Sequence, residues 1–330
     1  MSFELLFDNP SAAQVGTPEI LKHGLNRYFP ELLKFDSSDE LESSSVYQEI
    51  REDAERILNA VVVGALPDAA PTSDTALTDV RASAIEPNID AALTSDTALT
   101  DVRGSAIKAL AWNIERGCVF DGIVKALKNH DELKDKDVLL LTELDHGMAR
   151  SGNRFVAREV AEELKLNYAF APVYLALQKG SGVESAMEGE NTLSIHGLAM
   201  FSKWPMKNTY AVALPNGKDK MWGKEKRLGH LRALVSDIEH PSGDFRAITV
   251  HLDAHCSRSH RHRQMKIILD HLETLPELPT LIGGDWNTTT FNAQNSTRAI
   301  LGYWRRVMMG VKNVVKNHYP HPDRYFERRL

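Results

Sequence analysis

From residue 107 onward the chain is a succession of short apolar runs, each closed by a polar residue and separated by polar loops, and this rhythm admits few folds. Runs over 107–113, 138–142, 168–172, 198–202, 231–238, 245–251 and 280–284 have strand length and a β-branched or Leu-rich character. The stretches 120–128, 154–164 and 260–275 instead repeat apolar residues at helical spacing. Strands joined in part through helices and in part as close neighbours predict an α/β chain: a layered β-sandwich flanked by helices, not an all-parallel sheet. With 42% hydrophobic and 25% charged residues, 330 residues suffice for one large domain and an appendage.

The appendage comes first. Thr17-Pro18-Glu19 offers an N-cap followed by Pro at the first helical position, and Ile20, Leu21, Leu25, Tyr28, Phe29, Leu32 and Leu33 recur at helical spacing to about Lys34. Ser37-Ser38-Asp39 reads as a break. Ser43 to Ser45 can cap a second helix striped by Val46, Ile50, Ala54, Ile57, Leu58 and Val61. Beyond it, the ten residues 72–81 recur 22 residues later as 94–103. Two copies are too few for a solenoid, and the Thr, Ser and Asp richness reads as a linker. The expected organisation is an acidic helical segment at 1–66, a linker at 67–106 and the main domain at 107–330.

Charge divides along the same line. Residues 1–106 hold 19 acidic against 7 basic side chains, whereas residues 107–330 hold 26 against 32. A basic main domain suits an anionic substrate such as a phosphodiester, and the charge split fits two readings equally: an acidic segment that folds over the basic part and competes with that substrate, or separate solvated surfaces. The N-terminus lacks the basic region and apolar core of a signal peptide, and no apolar run approaches bilayer length, so the expected location is cytoplasmic. Cys118 and Cys256 have no metal-finger spacing and are expected as reduced thiols.

Four of the expected strands end on residues able to do chemistry: Asn113 and Glu115 after the first, Glu143 and Asp145 after the second, His251 and Asp253 after the sixth, Asp285 and Asn287 after the seventh. Strand ends opening into loops at one sheet edge are a common place for active sites. In Leu281-Ile282-Gly283-Gly284-Asp285-Trp286-Asn287-Thr288, strand alternation would point Asp285 and Asn287 the same way, and the glycines would allow close approach to the backbone. Asp145-His146 and Arg150 to Arg154 form a polar stretch suited to substrate contact. The segment 178–191 reads as a surface loop, and Arg258, Arg261, Arg263 and Lys266 as the exposed start of a helix. His251, His255, His260 and His262 are close in sequence but lack the ligand spacing of a zinc site.

In this order the motifs resemble the endonuclease/exonuclease/phosphatase superfamily, of DNase I-like fold. The family's strand-ending Asn matches Asn113, its metal-binding Glu matches Glu143, its His-Leu pair matches His251-Leu252, and its Gly-Asp-x-Asn matches Gly284 to Asn287. The pattern Gly-x-Ala-x-x-Ser-Lys fits Gly197, Ala199, Ser202 and Lys203. Thr142 stands where the nucleases often have Gln, and Leu144-Asp145-His146-Gly147 departs from the continuation seen in apurinic endonucleases. No Ser-Asp-His triplet, the family's last motif, follows Asn287; His318, His321 and Pro322-Asp323-Arg324-Tyr325 do not supply it.

The resemblance implies a divalent-metal-dependent hydrolase of phosphate esters, with nucleic acid among its substrates and Mg²⁺ or Mn²⁺ as cofactor. Carboxylate and amide oxygens suit a hard cation. Glu143 would hold it, with Asn113, Glu115 and Asp285 assisting. Asp285 would also orient water, Asn113 and Asn287 would hold phosphate oxygens, and His251 would donate to the phosphoryl group. With the Ser-Asp-His motif missing, the alternative expectation is a protein that binds metal and phosphate without turnover.

Overall fold

The computed structural model describes residues 15–65, 106–287, 296–310 and 313. In chain order its strands are β1 (Val15–Gly16), β2 (Val61–Gly64), β3 (Ala109–Arg116), β4 (Val138–His146), β5 (Asn167–Ala176), β6 (Ile195–Ser202), β7 (Met206–Leu214), β8 (Arg227–Gly229), β9 (Leu231–Ile238), β10 (Phe245–His251) and β11 (Thr280–Asp285). One sheet runs β1-β2-β5-β6-β4-β3, with β8 also paired to β5, and the other runs β11-β10-β9-β7. The pairs β3/β4 and β10/β11 are parallel. Each needs a crossover, supplied by the helices Phe120–Asn129 and Arg258–Leu272.

Burial explains why the apolar runs were so plain. In β4, Val138 and Leu140 face the second sheet, among Ala233, Val235, Ala247, Ile248 and Val250. Leu139 and Leu141 face the opposite way, among Ile123, Leu127, Val156 and Val160 of the covering helices. A strand buried on both faces carries a continuous apolar run rather than an alternating one. Each of these leucines is at most 2% exposed, which is worth about 1.5–3 kcal/mol per side chain. The result is the expected layered sandwich with helices outside.

The N-terminal segment departs from expectation in detail. The helix expected to Lys34 is three short pieces, Pro18–Leu21, Leu25–Tyr28 and α1 (Phe29–Leu32). The interruption has a local cause: His23 accepts the Leu25 N–H on Nδ1 while Nε2 lies 2.8 Å from the Leu193 carbonyl, a contact that ties the segment to a distant loop. Ser37 does not merely break a helix but caps a new one, α2 (Ser38–Glu42), by accepting from Glu40 N. The next helix, α3 (Ser45–Asn59), is the expected one, capped by Ser44.

Val61 is not the last residue of that stripe. It opens β2, whose Val62, Val63 and Gly64 pair with Phe170, Ala169 and Tyr168 of β5. Buried Arg232, on β9, donates to the carbonyls of Leu58 (2.6 Å), Ala60 (3.1 Å), Asn59 and Pro172 (both 3.3 Å). Residues 15–64 thus supply strands and helices to the sandwich itself. The expectation that this segment lies over the main domain as a competitor of substrate is not met by these residues, because their removal would strip a strand from the sheet. Of the expected linker, only Ala106 is described; the duplicated unit at 72–103 lies outside the described residues, as do His318, His321 and 322–325. Among the described residues, no helix is long and apolar enough to cross a membrane, and both cysteines are free thiols.

Candidate active site

The parallel pairs β3/β4 and β10/β11 bring their carboxyl-terminal ends together across the sandwich. Asn113, at the end of β3, donates through Nδ2 to Glu143 Oε1 and to Asp285 Oδ2, both at 3.0 Å. One amide therefore links a carboxylate of the first sheet to a carboxylate of the second. His251 pairs in register with Asp285, and its Nε2 lies 3.8 Å from Asp285 Oδ2. Four of the sequence-expected residues, Asn113, Glu143, His251 and Asp285, form one half-buried cluster.

Backbone irregularities decide which neighbours join them. The β3/β4 register shifts between Asn113 and Arg116, and Glu115 (φ 46°), Arg116 (φ 67°) and Gly117 (φ 74°) are consecutively left-handed. Strict alternation would have set Glu115 beside Asn113; the reversal turns its side chain out to solvent, where it makes no hydrogen bond or ion pair among the described residues. Its N–H instead bonds Asn113 Oδ1 at 3.0 Å and holds that amide in place. Glu115 is thus not brought to the other candidates, and Arg116 is: its Nη1 lies 3.9 Å from Glu143 Oε2 and 3.2 Å from Glu184 Oε1. Glu143 itself (φ 59°) sits in a bulge of β4 against β6.

Asp285 and Asn287 stay together for a different reason than alternation. Asn287 has φ 49°, its N–H bonds Asp285 Oδ1 at 2.9 Å, and its Nδ2 donates to the Leu252 carbonyl at 2.7 Å. This Asx turn pins the end of β11 to the end of β10. The glycines before it serve packing, not ligand approach. A Cβ on Gly283 would fall 2.6 Å from Leu140 Cδ1, and one on Gly284 (φ 126°) 2.0 Å from the Val250 carbonyl oxygen.

Behind the cluster stands a network that sequence reasoning did not assemble. Asp145, fully buried, accepts from Arg150 Nε (2.7 Å) and Nη2 (3.0 Å), and its Oδ1 is 2.8 Å from His196 Nδ1. Arg150 also donates to Glu225 (3.0 Å) and Glu184 (3.2 Å), and Arg227 pairs with Glu225. Glu184, on the expected surface loop, therefore joins this network to Arg116 at the cluster's edge. The available signal was slight: Asp145 lies two residues after Glu143, and His196 directly precedes the Gly197 strand pattern.

Electrostatics separate the cluster's members. Burial raises the Glu143 carboxyl, but the charge of His196, the Asn113 hydrogen bond, and the charges of His251 and Arg116 outweigh it, leaving it below the usual carboxylate range. Burial lowers His251 below the ordinary imidazole value against the opposing pull of Glu143 and Asp285. His146 is not at the substrate side. It stacks on Phe155 at 4.0 Å, and burial lowers it to about 4. Arg154 pairs with Glu159 over the Phe120 ring.

The loop after β10 is likewise structural. Asp253 accepts from Gly217 N (2.7 Å), His255 N (2.8 Å) and Lys220 Nζ (3.2 Å), and Arg261, expected exposed, is buried and donates to Asp253 O at 3.0 Å. Asp253, Cys256 and His260 approach one another, yet Cys256 Sγ donates to Asp253 O and His260 Nε2 lies 3.0 Å from Pro215 O, so each has a hydrogen-bond partner in the fold.

The main cluster offers two carboxylates, both hard oxygen groups, joined through Asn113 Nδ2, while Asn113 Oδ1 accepts from Glu115 N–H. That chemistry fits a small divalent cation that takes few protein ligands. The model of the Endonuclease/Exonuclease/phosphatase family matches residues 110–329. No curated protein sequence matches the chain. Among solved structures it is similar to an endonuclease/exonuclease/phosphatase from Beutenbergia cavernae DSM 12333 (19% identity, 55% of this chain and 47% of that one, TM-score 0.38). It is also similar to the human Nocturnin catalytic domain with bound sulfate (19%, 57% and 66%, 0.38) and to a variant beta toxin from Staphylococcus aureus with bound magnesium ions (17%, 55% and 64%, 0.35). The chain spans from about half to two-thirds of these structures' lengths.

Proposed function

The chain belongs to the Endonuclease/Exonuclease/phosphatase family, and from that premise we propose that it is a divalent-metal-dependent hydrolase of phosphate esters, acting as a phosphodiesterase or nuclease. One observation carries the reading: Asn113 bridges Glu143 and Asp285, acids from opposite sheets that, among the described residues, have no arginine or lysine at hydrogen-bond distance. Two carboxylates gathered around a neutral amide leave negative charge for a cation to meet.

Glu143 and Asp285 would hold Mg²⁺ or Mn²⁺, with the Asn113 amide keeping the two acids together. Bound there, the cation would supply charge neutralisation to a phosphate ester whose own charge repels nucleophiles. Asp285 orients the attacking water and accepts its proton. His251, beside Asp285, donates to a phosphoryl oxygen, and Arg116 adds a cation at the rim. Asn287 keeps Asp285 placed by bonding both it and Leu252.

The test is hydrolysis of bis-p-nitrophenyl phosphate and of plasmid DNA in Mg²⁺ or Mn²⁺, with Glu143→Ala and Asp285→Ala alongside. We expect metal-dependent cleavage that falls by at least ~100-fold in each variant. Cleavage that survives both substitutions removes the cluster from the reaction. Metal and phosphate binding with no turnover by the 330-residue chain would establish the binding protein in place of the hydrolase.

A further inference from the structure

A second histidine stands next to the cluster with one nitrogen fixed and the other unused. His196 lies in β6 opposite Asp145 of β4, one register step beyond the bulge that holds Glu143. Its Nδ1 is 2.8 Å from Asp145 Oδ1, and Asp145 is itself clamped by Arg150 through two hydrogen bonds. Tyr174 stacks parallel to the ring with centroids 6.5 Å apart and interplanar angle 12°. A ring gripped at one nitrogen and stacked on one face has a single orientation.

Its free nitrogen has a direction to serve. Nε2 has no hydrogen-bond partner among the described residues, yet it is not one of the sealed polar atoms that lack one. His146 Nδ1 shows the contrasting case, buried and without a partner. His196 is 5% exposed overall, so the solvent contact of a nearly buried residue falls in part on the atom that hydrogen bonding leaves open. Full burial of an imidazole held by a buried carboxylate, itself held by a buried arginine, is costly to build and serves no packing end that an apolar residue would not serve better.

We propose that His196, held by Asp145, is a second catalytic imidazole, whose Nε2 contacts a phosphoryl oxygen of the substrate. The proposal rests on the phosphoesterase reading of the same site. With Nδ1–H committed to Asp145, Nε2 is the atom that meets substrate; it donates to the phosphoryl oxygen as the imidazolium, whose charge faces the Asp145 carboxylate, and Asp145 and Arg150 are positioning residues acting through it. The fields of His196 reaching both Glu143 and His251 agree with this placement.

The experiment pairs kinetics with imidazole NMR on the full chain. In Mn²⁺, His196→Gln should lower kcat/KM for bis-p-nitrophenyl phosphate by ~100-fold, the loss expected of one preorganised donor, while Mn²⁺ affinity and melting temperature stay at the wild-type values. In the wild type labelled at histidine ¹⁵N, inorganic phosphate should shift the His196 Nε2 signal, assigned by through-bond correlation to its own backbone. Normal turnover by His196→Gln, with Glu143→Ala inactive, overturns the proposal and leaves the hydrolase reading standing. A phosphate-dependent Nε2 shift in a chain that hydrolyses nothing overturns the catalytic role together with the hydrolase reading and leaves His196 a phosphate-binding residue. Absence of both turnover and shift in the wild type removes both.

Discussion

Two charge clusters lie side by side in this molecule and are built on opposite plans. In the inner one, Asp145, Glu184 and Glu225 are met by Arg150 and Arg227, and Arg150 is fully buried with every carboxylate directly bonded. In the outer one, Glu143 and Asp285 share the amide of Asn113, and among the described residues Arg116 stands 3.9 Å from Glu143 and the His251 ring 3.8 Å from Asp285. The inner cluster is closed: its charge is settled by the fold and it fixes the ends of β4 and two loops. The outer is left open: among the described residues its acids are bridged by a neutral amide and directly bonded to no arginine or lysine, an arrangement a bound cation would complete. Nearly the same residue types thus serve structure in one place and candidate chemistry in the other, and the difference is whether the fold supplies the countercharge.

The contrast can be broken most forcefully from the inside. Arg150→Met leaves Asp145 and Glu225 buried beside an apolar side chain, and chemical denaturation should report a loss of about 3–5 kcal/mol. A loss under about 1 kcal/mol would mean that the inner cluster is not closed in the sense argued. Arg232→Met makes a smaller cut in the same spirit, orphaning the carbonyls of Leu58 and Ala60; about 1–3 kcal/mol is expected from urea unfolding if residues 15–64 are integral to the sandwich.

Acid sharpens the comparison next. His146 and His230 are held neutral by burial, each lowered from 6.5 to about 4. Between those values the unfolded chain binds protons that the folded chain does not. Stability therefore falls as pH drops through that window, by about 1.4 kcal/mol per pH unit for each histidine. The carboxyls of Asp145 and Glu225 are held low despite burial, the first by bonds from His196 and Arg150 and the second by the charges of Arg227 and Arg150, so their contribution is lost only below the usual carboxylate range. Melting curves of His146→Phe against wild type should show a shallower slope between pH 6.5 and 4.5, and parallel slopes would assign the loss elsewhere. The smallest effect has the same sign. Without metal, urea unfolding of Glu143→Gln near neutral pH should show a loss of no more than about 1 kcal/mol, since the neighbours of Glu143 favour its ionised form while the Gln amide oxygen still accepts from Asn113.

Much of the sandwich was legible because β4, β5, β6, β9 and β10 are buried on both faces and announce themselves as apolar runs. The strands that escaped were the very short β1 and β8, β7, whose Lys207, Asn208 and Thr209 interrupt the run, and β2, whose three valines continue the stripe of α3 without a visible break. In the site, Asn113, Glu143, His251 and Asp285 were readable as residues closing such runs. Glu115 was misplaced because two left-handed residues reversed the alternation on which its placement rested, and strand periodicity cannot see a bulge. Arg150 and His196 were unreadable as partners of Asp145, since they come from a loop and a neighbouring strand that only the register brings together. Local pattern revealed where the chain runs; the countercharges that separate a closed cluster from an open one are tertiary.

The most direct test of that separation is calorimetric titration of the full chain with Mn²⁺, in parallel with Glu143→Gln and Asp285→Asn. The account predicts binding to the wild type that is lost, or weakened by at least ~10-fold, in each variant, because each removes one of the two uncompensated charges. Undiminished binding in both would show that the open cluster is not where a cation goes.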